Sequence, residues 1–429
     1  MAESTAIAGV GDHARGDAHT GPRTHQHRDF VPLLVLSTPI LCASIFSKFG
    51  IPGFASIGIG IALPLMMLAL AFGMLSDCVR IEPRRLSFYC IALSVLVLPQ
   101  LLQAGTFSLN SLLMLALLHI PYVLVVVRGY ELAPRVLKLF LHIASLLAVL
   151  AIAQYFLQGI IDNAYLYPLD NLIPSEFIVQ GFNAQGTISY RSTQIRATGM
   201  FMLEPSFLTQ FLAVAIVAES VTSKQLWRLG LYAVGILVAH AGTGILILLI
   251  CMPMVVIFYR RWDLALLGVI GITIVLVFGE ALNLDMIANR ANEFDDPNSS
   301  GFARFVGGFY MFQQMLWPDL PRALFGYGAG AFMDYVHLFD IEVADMPMTK
   351  MIFEFGLIGA LVYFAFVASC LFASPLPRLI SLAIALTFLL NGMYVPFSHG
   401  LALGLLVLTS LPPGKATPAP RPSLRATRA

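Results

Sequence analysis

The sequence predicts an all-α integral membrane protein, a polytopic bundle of about twelve transmembrane helices with two long extracytoplasmic loops. Three observations lead there. Of the 429 residues 58% are hydrophobic and only 11% charged, with a mean hydropathy of +0.82; one water-soluble core cannot hide that much apolar surface. Apolar stretches of about 16 to 24 residues recur at short intervals, the length a helix needs to cross a hydrocarbon layer roughly 30 Å thick. Lysines and arginines sort to alternate connectors, as the positive-inside bias requires. Open sheets are excluded within the bilayer, because their edges leave backbone groups unpaired.

The predicted spans centre on 30–46, 57–75, 87–103, 111–127, 139–160, 200–221, 229–241, 243–258, 264–280, 350–373, 379–394 and 400–412. With the N-terminus in the cytoplasm, Arg80, Arg84, Arg85, Arg128, Arg135, Lys138, Lys224, Arg228, Arg260, Arg261 and Arg378 all fall inside. The segment HAGTG (His240 to Gly244) is read as a turn between two spans, because a single long helix there carries Arg260 and Arg261 outside. Residues 1–29 are polar, contain His13, His19, His25 and His27 and lack a cleavable signal pattern, so a disordered cytoplasmic tail is expected. Residues 30–413 form the membrane domain, and 414–429 a basic, proline-rich cytoplasmic tail with Lys415, Arg421, Arg425 and Arg428. The five cysteines (Cys42, Cys78, Cys90, Cys251, Cys370) lie in spans or on the inner side, so no structural disulfide is expected. No CxxC or HExxH spacing suggests a metal, no cofactor is expected, and nothing implies a nucleic-acid partner.

Two connectors are long. Residues 161–199 and 281–349 both lie outside, and with the start of the next span they hold Arg191, Arg196, Arg290, Arg304, Arg322 and Lys350, six of the seven basic residues that defy the inside bias; the seventh is Lys48. Charge on the unfavoured side invites a functional explanation. In the second loop, Ser299 and Ser300 offer an N-cap, and "GFARFVGGFYMFQQMLWP" has a helical period up to Pro318, which suits an interfacial helix acting either as a lid or as packing. The glycines of "FGYGAGAF" (Phe325 to Phe332) permit a tight turn or a close backbone approach to a ligand; neither GxGxxG nor a Walker A pattern is present. Glu354 is placed to pair with Lys350 at i,i+4. His119, with Pro121 behind it, is read as a core residue bonding a carbonyl that the proline frees. His240, His337 and His399 are placed on or near the outer face, where one could carry a proton.

The stretch "RSTQIRATGMFMLEPSFLTQFL" (Arg191 to Leu212) concentrates the candidate chemistry. It puts Arg191, Arg196 and Glu204 at the outer mouth of an apolar run. Pro205 either occupies the first helical turn, where its missing N–H costs nothing, or kinks a helix begun near Gly199. Glu204 is then a general base or a structural partner of Arg196, while guanidinium groups near the lipid boundary suit a diphosphate. Outside the membrane there is normally no nucleoside triphosphate, so a transferase there needs a donor carrying its own leaving group, such as a polyprenyl diphosphate sugar.

Taken in order, "RATGMFMLEPSFLTQFLA" (from Arg196), "AGTGILILLI" (from Ala241), "ARFVGGFYMFQQ…ALFGYGAGAF" (from Ala303) and "MTKMIFEFGLIGALVYF" (from Met348) resemble segments of the Wzy-type O-antigen and exopolysaccharide polymerases, a superfamily shared with the O-antigen ligases. The resemblance implies a GT-C-like, multi-pass protein of the bacterial inner membrane with its active site facing the periplasm. It implies metal-independent, inverting transfer of a growing glycan from polyprenyl diphosphate to the next lipid-linked repeat unit, with a chain-length regulator and export machinery as possible partners. It casts Glu204 and Arg196 as catalytic and Arg191 and Arg304 as diphosphate-binding; Arg290, as another outward arginine, and His337, which a shifted alignment recruits, are further candidates for binding diphosphate or glycan. The ligases carry a histidine where this chain has Asp345, which favours polymerase. A ligase-type glycan transferase, a transporter or flippase, and more distantly a SEDS-type peptidoglycan polymerase are the alternatives.

Overall fold

The computed structural model describes residues 23–55, 60–102, 107–188, 193–223, 225–278, 295–297 and 299–410, and it is mostly helical. A helix stands at each predicted apolar stretch: α1 (Arg23–Ser44), α2 (Ala62–Leu75), α3 (Pro83–Leu102), α4 (Leu109–His119), α5 (Gly129–Leu157), α6 (Pro205–Val221), α7 (Leu226–Ala239), α8 (Thr243–Tyr259), α9 (Trp262–Phe278), α10 (Pro347–Leu371), α11 (Arg378–Leu389) and α12 (Pro396–Leu401). Among the described residues α3, α5 and α10 are long and apolar enough to cross a membrane, while the other apolar helical segments, counted as Asp29–Ser44 within α1 and as Pro396–Val407 where wide turns continue α12, run 10–17 residues. The tail 414–429 and most of 1–29 lie outside the described residues. Helix α1 begins inside the expected tail, and Asp29 anchors its start by accepting from Arg128 at 2.7 Å and Arg135 at 2.9 Å.

The fold is not purely helical. Pro121 has no N–H to continue α4, so the chain tightens into a 3₁₀ turn, Ile120–Val123, and then forms β2 (Leu124–Val126) where the sequence predicts more helix. β2 pairs antiparallel with β1 (Val79–Ile81), Arg80 facing Val125. Connectors segregate to two ends of the bundle. Ion pairs of Arg128 and Arg135 with Asp29, Arg228 with Glu219 and Arg261 with Asp263 mark one end; Lys48 with Asp170, Arg304 with Glu204 and Lys350 with Glu354 mark the other. The HAGTG segment is a reversal, as predicted: His240 takes left-handed backbone (φ 48°), and α7 and α8 then pack on α6 in opposite directions. Arg228 reaches Glu219 and Gly235 meets Leu212 on the way up; Gly244 meets Thr209, and Arg261 donates to the Ser220 carbonyl, on the way down.

Helix α6 is the hub, buried continuously from Phe207 through Ser220. Gln210 and Asn391 exchange amide hydrogen bonds of 3.0 and 2.8 Å, as burial of amides demands. His119 is a core residue, but its Nδ1 bonds the Leu115 carbonyl at 2.8 Å, in its own preceding turn, rather than one freed by Pro121; its Nε2 meets the Tyr363 hydroxyl at 2.8 Å. His399, placed near the outer face by sequence, is fully buried and bonded to the Tyr122 hydroxyl and the Met393 carbonyl.

The glycine-rich segment makes a close approach to the backbone of α10. Gly356 (φ 68°, ψ −178°) breaks α10, and the N–H groups of Tyr327 and Gly328 donate to the exposed carbonyls of Phe353 and Glu354, each at 2.9 Å. The 300–317 region is broken as well, into Ser300–Phe305, Gly307–Met311 and wide turns over Phe312–Leu316, and Gly307 and Gly308 pack closely against Glu342 and Thr349. Ser299 does cap its start, accepting from the Phe302 N–H at 3.0 Å. Phe309, Tyr310 and Trp317 stay exposed. The Lys350–Glu354 pair forms at 2.9 Å, with side chains only 3% and 1% exposed, and Lys350 lies over the rings of Phe332 and Tyr394. Lys350→Met should therefore strand a buried carboxyl group and destabilise the fold by about 3–5 kcal/mol, while Lys350→Met with Glu354→Leu recovers most of that loss. Thermal unfolding of the two variants in detergent checks this.

Candidate functional site

Glu204 occupies the N-cap of α6 in extended backbone (φ −144°, ψ 159°), with Pro205 in the first turn. The first of the two readings of Pro205 is the one adopted. The Glu204 carboxylate makes no capping hydrogen bond to the first turn and turns outward. One oxygen accepts from the Asn183 N–H at 3.2 Å and the other from the Ser206 hydroxyl at 2.9 Å. A carboxylate has about four lone-pair positions, so these two bonds orient it without saturating it.

Arg304 faces Glu204 from the short helix Ser300–Phe305, at 4.0 Å. That separation exceeds hydrogen-bond range, so the carboxylate does not consume the guanidinium donors. Glu204, Arg304 and Arg196 line one cavity of about 180 Å³ with Asn183, Pro205, Ser206, Ala241, Gly242, Thr243 and Ser300. Residues from four separate stretches of sequence thus converge. Thr243 closes the floor by donating to the Ser206 carbonyl at 3.2 Å, and Gly244 packs so tightly on Thr209 that a side chain there has no room.

The other predicted site residues fare differently. Arg191 and Arg290 lie outside the described residues. His337 is exposed at the end of the helix Ala331–Val336 and does not line the cavity. Asp345 lies half-buried, with Arg304 and Lys350 both within electrostatic range. Burial raises its carboxyl above the usual range, and Lys350 and Arg304 pull it back only in part. The fold thus favours the protonated form. That contribution is complete below the unfolded-state pKa and is lost as pH rises through the folded-state value. Asp345→Asn fixes the neutral form, so its melting temperature relative to the unsubstituted protein should climb from about pH 4 toward neutrality; a constant difference across a pH series refutes this.

Sequence reasoning missed Asn183, Ser206 and Thr243 as cavity walls. The signal for Ser206 and Thr243 was present in hydroxyls set in apolar runs beside Glu204 and Gly242, whereas nothing local marks Asn183. No known family, characterised protein or solved structure matches the chain. The class defined by fold and composition is a mostly helical protein with, among the described residues, three helices long and apolar enough to cross a membrane.

Proposed function

We propose that the chain is a polytopic inner-membrane polymerase of about twelve spans, joining polyprenyl-diphosphate-linked oligosaccharide repeat units on the periplasmic face. The observation that carries this reading is the convergence of Glu204, Arg196 and Arg304 on one cavity at the end of the bundle where Lys48 and Lys350 also lie. Three helices among the described residues that are long and apolar enough to cross a bilayer, with nine shorter apolar segments at the other predicted spans, support the membrane part.

The chemistry follows from the lining. An acceptor sugar hydroxyl attacks the anomeric carbon of the donor, and its proton passes to the Glu204 carboxylate. The bond from that carbon to the diphosphate oxygen breaks, and Arg196 and Arg304 receive the departing charge through paired N–H donors. Attack opposite the leaving group inverts the anomeric centre. A cavity of about 180 Å³ is smaller than the roughly 300 Å³ and upward of pockets that enclose a whole small ligand. It suits the reacting groups, with lipid and glycan extending out of it.

One observation favours a second reading. The break of α10 at Gly356, beside the buried Lys350–Glu354 pair, resembles the discontinuous helices of secondary transporters. Purified protein supplied with lipid-linked repeat units in detergent separates the two. A polymerase lengthens the glycan there, whereas a transporter or flippase leaves every unit single. Transfer only to a lipid core or protein acceptor indicates the ligase-type reaction instead.

A further inference from the structure

The segment that carries Arg196 and Glu204 has little regular structure of its own. Apart from the bridge between Thr187 and Ile195, residues 195–204 form neither strand nor helix. Gly199 and Met200 both adopt left-handed backbone, with φ of 63° and 68°. A non-glycine residue holds that conformation only where its surroundings impose it.

Two glutamines at the end of α5 hold this segment, Gln154 at Thr198 and Met200 and Gln158 at Ile195. Gln154, 1% exposed, accepts from the Thr198 N–H at 3.1 Å and the Met200 N–H at 3.3 Å, and donates to the Leu166 carbonyl at 2.8 Å. Gln158, one turn further and on the same face, accepts from the Ile195 N–H and donates to the Ile195 carbonyl, both at 2.7 Å. The Tyr167 hydroxyl, within 3.3 Å of the same Gln158 amide, donates to the Arg196 carbonyl at 3.0 Å. Lys48 completes the grip by donating to the Met200 carbonyl while paired with Asp170. Its own carbonyl accepts from the Val179 N–H, at the start of the run that leads to Asn183.

A primary amide mimics a peptide group, with a carbonyl acceptor and N–H donors in one plane. An apolar residue at either position leaves backbone N–H groups unpaired in a buried place. The segment then relaxes toward ordinary backbone, carrying both charged groups with it.

We propose that Gln154 and Gln158 are positioning residues, an amide pair on α5 that grips the backbone of residues 195–200 and thereby sets where the Arg196 guanidinium and the Glu204 carboxylate meet the cavity. The proposal rests on the functional reading above for its consequence, though not for its geometry.

The test has two readouts on the full-length protein. In a background whose native cysteines are replaced by serine or alanine, Arg196→Cys reports the placement of that side chain through its labelling rate with a membrane-impermeant thiosulfonate. Adding Gln154→Met or Gln158→Met should change that rate while the melting temperature confirms a folded protein. In the otherwise native chain, Gln158→Met should lower kcat for glycan elongation about 10²-fold, the cost of a misplacement of about 1 Å, with little change in KM. Gln158→Glu keeps the acceptor for the Ile195 N–H and should fall between. An unchanged labelling rate in both methionine variants overturns the proposal. If the rate changes but Glu204→Gln elongates normally, the grip stands and the polymerase site falls.

Discussion

Glu204→Gln should abolish long polysaccharide and leave single lipid-linked repeat units to accumulate, with the protein inserted at its normal level. The substitution keeps shape and most hydrogen bonding, since an amide oxygen can still accept from Ser206 or Asn183. What it removes is the capacity to take a proton from the attacking hydroxyl. Loss of a positioned general base lowers the rate by about 10²–10⁴-fold, enough to eliminate ladder bands on a gel of extracted glycan. Arg196→Ala should have a comparable effect by a different route, since the departing diphosphate loses a charged partner. In a purified assay the arginine variant should also bind donor less tightly, whereas the glutamine variant should not. Normal chain lengths in both variants, at normal protein levels, refute the site.

Gly326→Ala and Gly356→Ala should be the most damaging substitutions to the fold itself. Both glycines have positive φ, at 80° and 68°, and the two backbones touch. A β-carbon on Gly326 comes within 2.3 Å of the Glu354 carbonyl oxygen, and one on Gly356 within 2.3 Å of the Leu324 carbonyl. Each clash is with main chain, which cannot swing aside. Strained backbone, steric overlap and loss of the bonds from Tyr327 and Gly328 act together, so we expect more than about 4 kcal/mol of destabilisation, in the range where single substitutions become diagnostic. Low membrane levels, or a collapse of the melting temperature of the purified variant, are the expected signs. Gly53, whose added carbon meets nothing, is the control; there only the positive φ opposes alanine.

Much of the helical content was legible because apolar runs of span length, read as bilayer-embedded, satisfy their backbone as helices; among the described residues three of the helices at those runs, α3, α5 and α10, are long and apolar enough to cross a membrane. Punctuation by proline was legible in part. Pro205 starts α6 where a first-turn proline belongs, but Pro121 ends α4 early, and nothing beside it in sequence indicated that the chain would go on to pair as a strand with Val79–Ile81. That pairing depends on a connector far away in sequence. The i,i+4 pair of Lys350 and Glu354 was readable since one helix holds both.

The candidate site divides along the same line. Sequence alone determined that Arg196, Glu204 and Arg304 are charged groups near apolar runs and at one predicted side of the membrane, because hydropathy and charge are local properties. Only the tertiary structure decided that these three share a cavity, that His337 does not line it, and that the glycines of FGYGAGAF serve a broken helix. It also revealed Gln154 and Gln158, which in sequence are two polar residues near the end of an apolar run. The physical reason is that a hydrogen bond from α5 to the segment before α6 crosses some forty residues of chain, as with Gln154 and Thr198. A long closed loop of that kind is selected by the whole packing, not by either partner's neighbours in sequence.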